Sequence, residues 1–199
     1  TTISIPATVT ELGNYAFREC GALRTVIFET YTDKDDGKNY SSLAKIGNTV
    51  FEKTALTTFT FPTLKTGYIK IDTSGKLFNG CTLLTTVNLS KSVNNVENVF
   101  SGCSSIRTIN IDSENTFFSM VPGSNILLNA AGTEYKYILG AIEGEHVVPT
   151  GIIKLPDSIF EGQFGLTKIT IPSSVQSIGK NAFKGCSALT EVVILGTTD

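Results

Sequence analysis

Residues 169–195, ITIPSSVQSIGKNAFKGCSALTEVVIL, lie over residues 3–28, ISIPATVTELGNYAFRECGALRTVIF, with Ile, Val, Ala, Phe, Cys and Leu on the same columns. The shared frame is I-x-I-P-x-x-V-x-x-I-G-x-x-A-F-x-x-C-x-x-L-x-x-V. Its period is 23, the distance from Ile171 to Ile194, from Ile5 to Phe28 and from Val148 to Ile171. No other feature constrains the fold as strongly. A unit of this length cannot bury an apolar face alone, so successive copies have to stack on one another.

Worn copies fill the interval. IGNTVFEKTALTTFTFP (46–62), LFNGCTLLTTVNL (77–89), VFSGCSSIRTINI (99–111) and IFEGQFGLTKITIP (159–172) bring the legible Phe-to-Leu segments to six. The copies at 46–61 and 89–100 are each one residue short.

Each copy contains one strand signal. The L-x-x-V-x-I segment alternates with period 2 and is mostly β-branched, which predicts short strands with Val26, Phe59, Val87, Ile109, Ile169 and Val192 pointing inward. Stacking then makes the strands parallel neighbours ~4.8 Å apart. Proline after the strand, at Pro6, Pro62, Pro149 and Pro172, removes a donor and ends the pairing. Ala-Phe-x-x-Cys places apolar residues at i, i+1 and i+4, which predicts about one helical turn packing its phenylalanine under the sheet. Phe17 and Phe183 are expected to fill that space in their coils. The expected architecture is an α/β solenoid of ~23-residue coils, a right-handed β-α superhelix with a parallel concave sheet and short helical or irregular convex turns. Residues 1–199 form a single solenoid domain in this reading.

Two stretches break the period. ETYTDKDDGKNYSS (29–42) stands where a short linker would suffice and is expected to leave the solenoid surface as an inserted polar loop. In about 112–147 the Phe-Cys phrase is missing, and the runs SNILLN and EYKYIL flank AAGT, which predicts a β-hairpin in a degenerate coil.

The frame at 5–23 and 171–189, repeated at a fixed period over nearly the whole chain, resembles the BspA-like class of leucine-rich repeats of bacterial and protozoan surface proteins. The NILLNAAGTEYKYIL stretch is similar to the hairpin-bearing coil that interrupts such arrays. The resemblance implies a secreted or cell-surface protein that adheres to host or matrix proteins, without catalysis. A carbohydrate-binding module, or a structural spacer within a longer surface protein, is the alternative. The chain opens on Thr1, and neither end carries a recognisable capping repeat. That leaves room for a signal, an anchor or further repeats outside it.

Composition removes other classes. A net charge of −2 supplies no basic field to hold nucleic acid by its phosphates. No apolar run reaches the roughly 18 residues of a membrane span. Nucleotide-binding glycine loops and hydrolase triads find no anchor, and with one histidine there is no second member for the usual zinc or catalytic pairs. No cofactor and no metal is expected, and a monomer is favoured.

Three groups of residues invite a chemical reading. Cys20, Cys81, Cys103 and Cys186 all stand three places after the repeat phenylalanine, the pattern of a small buried hydrophobe reused by each coil. Gln163 and Thr54 share that column, which a metal or disulfide framework would not tolerate. Cys81 and Cys103 fall in consecutive coils at a separation a disulfide accepts, but a ladder aims both side chains the same way, and two thiols are the favoured reading. His146 has no partner at ligand spacing and is expected to be an ordinary surface residue. Asp33, Asp35, Asp36 and Gly37 approach a calcium loop, yet the glycine comes one place early and the twelfth position is Ala44, so a solvated turn is expected.

A surface remains. Outward neighbours of the inward residues stack into one column reading Thr25, Thr58, Thr86, Thr108, Lys168, Glu191 and a second reading Ile27, Thr60, Asn88, Asn110, Thr170, Val193. Threonine is a good exposed strand residue on propensity alone. The functional alternative is a ladder of hydroxyls and amides that binds an extended partner. Aromatic residues collect instead in the interruptions: Tyr31 and Tyr40 in the first, Phe117, Phe118, Tyr135 and Tyr137 in the second. The partner-binding candidates are therefore Thr58, Thr60, Thr86, Asn88, Thr108, Asn110, Lys168 and Thr170 on the face, with Tyr31, Tyr40, Tyr135 and Tyr137 in the loops.

Overall fold

Each of the six strand signals forms a strand in the computed structural model, which describes residues 1–72, 74, 76–121 and 124–196. Two compact units, Thr1–Phe117 and Phe118–Asp199, divide them. In the first, Thr2–Ile5 pairs in parallel with Thr25–Phe28, and Thr58–Thr60, Thr86–Leu89 and Thr108–Ile111 make a second parallel sheet. In the second, Gly144–Val147, Leu166–Ile171 and Glu191–Ile194 run parallel. Registers return the period: Ile3 lies opposite Val26 and Ile169 opposite Val192, each 23 residues on, while Thr86 faces Thr108 at 22, as the short copy requires.

Five coils also contribute to second parallel ladders, formed at or near the V-x-x-I-G position of the frame. Glu11–Leu12, Lys45–Ile46 and Lys70–Ile71 pair in the first unit, and Lys154–Leu155 with Ser177–Ile178 in the second. These two-residue strands are too short for period-2 alternation to register in the sequence. The glycine that follows them marks a close approach of backbones: a Cβ on Gly179 would run into the main chain of Pro156 and Asp157. Glu11 faces Lys45 at 34 residues, so the insertion 29–42 is absorbed within one coil.

The helical turn is not there. Among the described residues no helix occurs, and the α/β assignment is corrected to stacked β-coils with irregular turns. Left-handed residues, two in five of the turns and Gly80 in the Phe78 turn, forbid the helix. The residue two before the phenylalanine has positive φ in Tyr15, Thr49, Asn98, Ser158 and Asn181, and the residue two after it in Glu19, Lys53, Gly80, Gly102, Gly162 and Gly185. At Gly102, φ is 79° and a Cβ would come within 2.9 Å of Asn79 Oδ1. Freed from i→i+4 bonding, the turn reaches across to the next coil. Phe17 N donates to Val50 O at 2.9 Å, Phe51 N to Leu77 O at 3.1 Å and Phe160 N to Ala182 O at 2.8 Å, with Glu19, Lys53 and Gly162 repeating the bond two residues on. The turns are thereby stitched to one another as the strands are.

Under this backbone ladder the phenylalanines stack. Phe17, Phe51, Phe78 and Phe100 follow one another at 5.6, 5.7 and 6.1 Å with rings within 12° of parallel, and Phe160 stacks on Phe183 at 5.2 Å. Phe51, Phe78 and Phe160 are fully buried, whereas Phe17 and Phe183 are half-buried. The inward strand column behaves likewise. Phe59, Val87, Ile109 and Ile169 are buried and Val26 is half-buried, but Val192 is exposed.

The expected hairpin is present: Ile126–Asn129 pairs antiparallel with Tyr135–Ile138, and Phe118–Met120 adds a third strand. Within the interrupted stretch 112–147, residues 122 and 123 lie outside the described residues.

Candidate functional site

The cysteine column is structural, and the reason is a hydrogen bond. Cys81 Sγ donates to Phe51 O of the preceding coil at 2.9 Å, Cys103 Sγ to Phe78 O at 3.2 Å and Cys186 Sγ to Phe160 O at 3.0 Å. The two residues that replace cysteine make comparable bonds. Thr54 Oγ1 donates to Phe51 O at 2.9 Å, and Gln163 accepts from Ile142 N at 2.7 Å while donating to Gly140 O at 3.2 Å. All four cysteines are free thiols. Burial pushes the Cys81 and Cys103 thiols up, away from the thiolate that nucleophilic chemistry needs. Cys20 is exposed.

The acidic insertion does not leave the surface as a free loop. Its ends pair as Tyr31–Thr32 and Asn39–Tyr40, and Tyr40 is 3% exposed. Lys65 Nζ stands 2.9 Å from Asp33 Oδ2 and 2.8 Å from Asp35 Oδ2, and the Tyr40 hydroxyl donates to Asp36 Oδ2 at 2.6 Å. Lys65 holds the Asp33 carboxyl below its usual range, and the Tyr40 hydroxyl does so for Asp36. A lysine ammonium and a phenol thus take the oxygens a calcium ion would need. Among the described residues no group of three or more His, Cys, Asp or Glu is placed to hold a metal. Lys91, 5.7 Å from the Tyr40 ring centre, pairs with Glu114 at 2.7 Å, and Lys38 approaches Glu114 at 3.5 Å. The insertion is clamped to the three coils that follow it.

His146 is not an ordinary surface residue. It sits in the inward column opposite Ile169, with Nε2 3.0 Å from the Tyr135 hydroxyl and the Phe160 ring 5.6 Å away. Burial lowers its pKa and raises that of Tyr135. Tyr135 itself is fully buried and Tyr137 is half-buried on the same strand. Tyr40 and Tyr135 are therefore removed from the exposed binding aromatics expected from sequence; Tyr31 remains exposed.

The threonine and asparagine columns fall into register as the repeat demands. Thr58, Thr86 and Thr108 are directly opposite one another, as are Thr60, Asn88 and Asn110. Asn110 Nδ2 donates to Asn88 Oδ1 and Asn88 Nδ2 to Thr60 Oγ1, both at 2.7 Å. In the second unit the corresponding face differs: Glu145, Lys168 and Glu191 form one column and Val147, Thr170 and Val193 the other, with Lys168 paired to Glu191 at 3.2 Å.

One aromatic pairing was not expected from sequence, which singled out Phe117 but not Tyr68. Tyr68 and Phe117 meet edge to face at 4.9 Å, and Tyr68 is 51% exposed. They lie 49 positions apart in different coils, and only the stacking of coils brings them together.

Among the described residues no helix is long and apolar enough to cross a membrane. The BspA type leucine-rich repeat region matches residues 1–121 and 145–198 in six copies. No curated protein matches the chain. A leucine-rich repeat protein from Eubacterium ventriosum has a similar structure, with a TM-score of 0.73 at 20% identity over 99% of this chain and 54% of its own. The pneumococcal vaccine antigen PcpA gives 0.63 at 19% over 96% and 50%, and a leucine-rich cell surface protein from Faecalibacterium prausnitzii 0.54 at 24% over 97% and 60%. This chain spans about half the length of the first two.

Proposed function

The chain belongs to the BspA-type leucine-rich repeat family, and from that premise we propose that it is a non-enzymatic, extracellular or cell-surface module that binds a protein partner. The observation that carries the reading is the Thr60–Asn88–Asn110 ladder. Side chains that hydrogen-bond to one another along the stack are ordered before a partner arrives, and ordering them in advance lowers the entropic cost of binding. Beside it runs the column of Thr58, Thr86 and Thr108, so an extended segment laid along the stack meets a hydroxyl or amide at every ~4.8 Å. The surface and vaccine-antigen descriptions of the similar structures support the location.

The test is a solid-phase assay of the chain against extracellular-matrix proteins, with wild type beside a Thr58→Lys, Thr86→Lys, Thr108→Lys triple variant. Binding that is lost in the variant, with the thermal midpoint unchanged, supports the sheet face. Binding that survives the three lysines refutes it.

A further inference from the structure

A second recognition site lies off the sheet face, and it does not depend on the reading just given. Segments 64–68, 91–92 and 114–117 of the first unit enclose a cleft of about 210 Å³. We propose that this cleft is a subsite for a single neutral pyranose ring.

Four observations lead there. First, Tyr68 offers a half-exposed ring whose tilt is fixed by its edge-to-face contact with Phe117, at 84° between planes. A pinned aromatic face of this kind suits the axial C–H face of a pyranose, because stacking loses little when the ring cannot swing. Second, Thr66 and Thr116 are among the residues that line the cleft, and their hydroxyls have no hydrogen-bond partner among the described residues, so each is free to act as donor or acceptor. Third, the charged groups at the cleft are already matched. Lys65 is held by Asp33 and Asp35, and Lys91 by Glu114, which is itself approached by Lys38. Such pairs hydrogen-bond to hydroxyl groups but offer no uncompensated charge to an anion or a cation. Fourth, the volume is below the ~300 Å³ at which drug-sized pockets begin, room for one ring rather than for an oligosaccharide chain or a helix.

The insertion 29–42 belongs to the same device. Three of its carboxylates act here: Asp33 and Asp35 hold Lys65, and Asp36 accepts from the hydroxyl of the insertion's own Tyr40, over whose ring Lys91 lies. A stretch that interrupts the repeat at the cost of ordering a polar loop sets the walls of the cleft.

The experiment is saturation-transfer NMR on the full chain, with methyl α-D-glucopyranoside, methyl β-D-galactopyranoside and methyl α-D-mannopyranoside as probes and methyl glucuronide as the charged control. Transfer to the ring protons of at least one neutral probe in the millimolar range is expected. The affinity obtained by titrating the transfer signal against probe concentration should fall about tenfold in Tyr68→Ala, the equivalent of ~1.4 kcal/mol, and persist in Tyr68→Phe and in Tyr15→Ala, an exposed tyrosine elsewhere in the same unit. Thr116→Val, which leaves the aromatic pair intact, should also weaken it. Absence of transfer to all three neutral probes, equal transfer to the glucuronide, or full transfer in Tyr68→Ala overturns the assignment. Loss of matrix binding in the sheet-face triple lysine variant leaves these signals unchanged, so the two proposals fail separately.

Discussion

Two ladders run through the same coils of the first unit, and they have opposite tolerance for change. On the turn side, Phe51, Phe78 and Phe100 stack ring on ring while Cys81 and Cys103 bond back to the phenylalanine carbonyl of the coil before. On the sheet side, Thr58, Thr86 and Thr108 stack just as regularly but remain largely outside. Both repeat because stacking repeats everything. The difference shows that periodicity in a repeat protein does not distinguish what holds the coils together from what the coils display; burial does. The turn ladder is a continuous core, and the sheet ladder is an ordered surface.

The sharpest way to break this contrast is to remove a ring from the middle of the stack. Phe78→Ala deletes a fully buried side chain with aromatic neighbours on both sides, and a loss of ~3–5 kcal/mol is expected in chemical denaturation. Phe17→Ala, at the same column in a half-buried coil with one ring neighbour, should cost about half as much, since roughly half the apolar area leaves water. Equal losses at the two positions would mean that the stack is not the element that carries the stability.

A titration probes the second unit's inward column. His146 replaces an aliphatic residue there, and burial lowers its pKa, so the folded state prefers the neutral ring. The sign follows: its stabilisation is complete above the ordinary value of 6.5 and is lost as pH falls through that value toward the lower folded pKa. Protonation would put a positive charge on a ring packed against Tyr135 and Phe160, the form that burial disfavours. The thermal midpoint should drop on going from pH 7.5 to 5.5, and His146→Phe should flatten that part of the profile. An unchanged slope in the variant would place the titrating group elsewhere.

How much of this was legible follows from what each residue answers to. The strands, their parallel register and the inward columns came through, because burial imposes period 2 within a strand and period 23 between strands, and both are visible as letters. The turn conformation did not. Ala-Phe-x-x-Cys fits one helical turn in its apolar spacing, and what overrides it is backbone handedness at positions flanking the phenylalanine. Gly80, Gly102, Gly162 and Gly185 were a signal for it two places after the ring, but Glu19 and Lys53 hold the same φ without glycine and blur it. Of the site, the columns on the sheet were readable and the cleft was not. Tyr68, Phe117, Lys65 and Lys91 stand in different coils, brought together by a coil-to-coil contact that no local pattern encodes. Tyr40 and Tyr135 show the converse error: aromatic residues in an insertion are not thereby exposed, since a polar loop packs down when its carboxylates find a lysine and a phenol.

Next comes the sheet ladder itself. Asn88 is its middle rung, accepting from Asn110 and donating to Thr60, so Asn88→Ala removes two bonds that water can partly replace. A destabilisation of about 1 kcal/mol or less is expected by urea denaturation. Asn88→Asp should cost less than Asn88→Ala, because the carboxylate still accepts from Asn110 and the Thr60 hydroxyl can turn to donate to it. A loss as large as that of Phe78→Ala would erase the distinction between the two ladders.

Thr86→Ala sets the lower limit and gives the contrast its functional meaning. Its side chain stands between Thr58 and Thr108 on the outward face and makes no hydrogen bond among the described residues, so stability should change by no more than ~0.5 kcal/mol. If the sheet is a recognition surface, the same substitution should weaken partner binding measurably while leaving the melting curve alone, a separation that no buried residue of the turn ladder can produce. Should Thr86→Ala leave both unchanged, threonine is there only because it is a good exposed strand residue, and recognition by this chain must be sought off the sheet, at the cleft beside Tyr68.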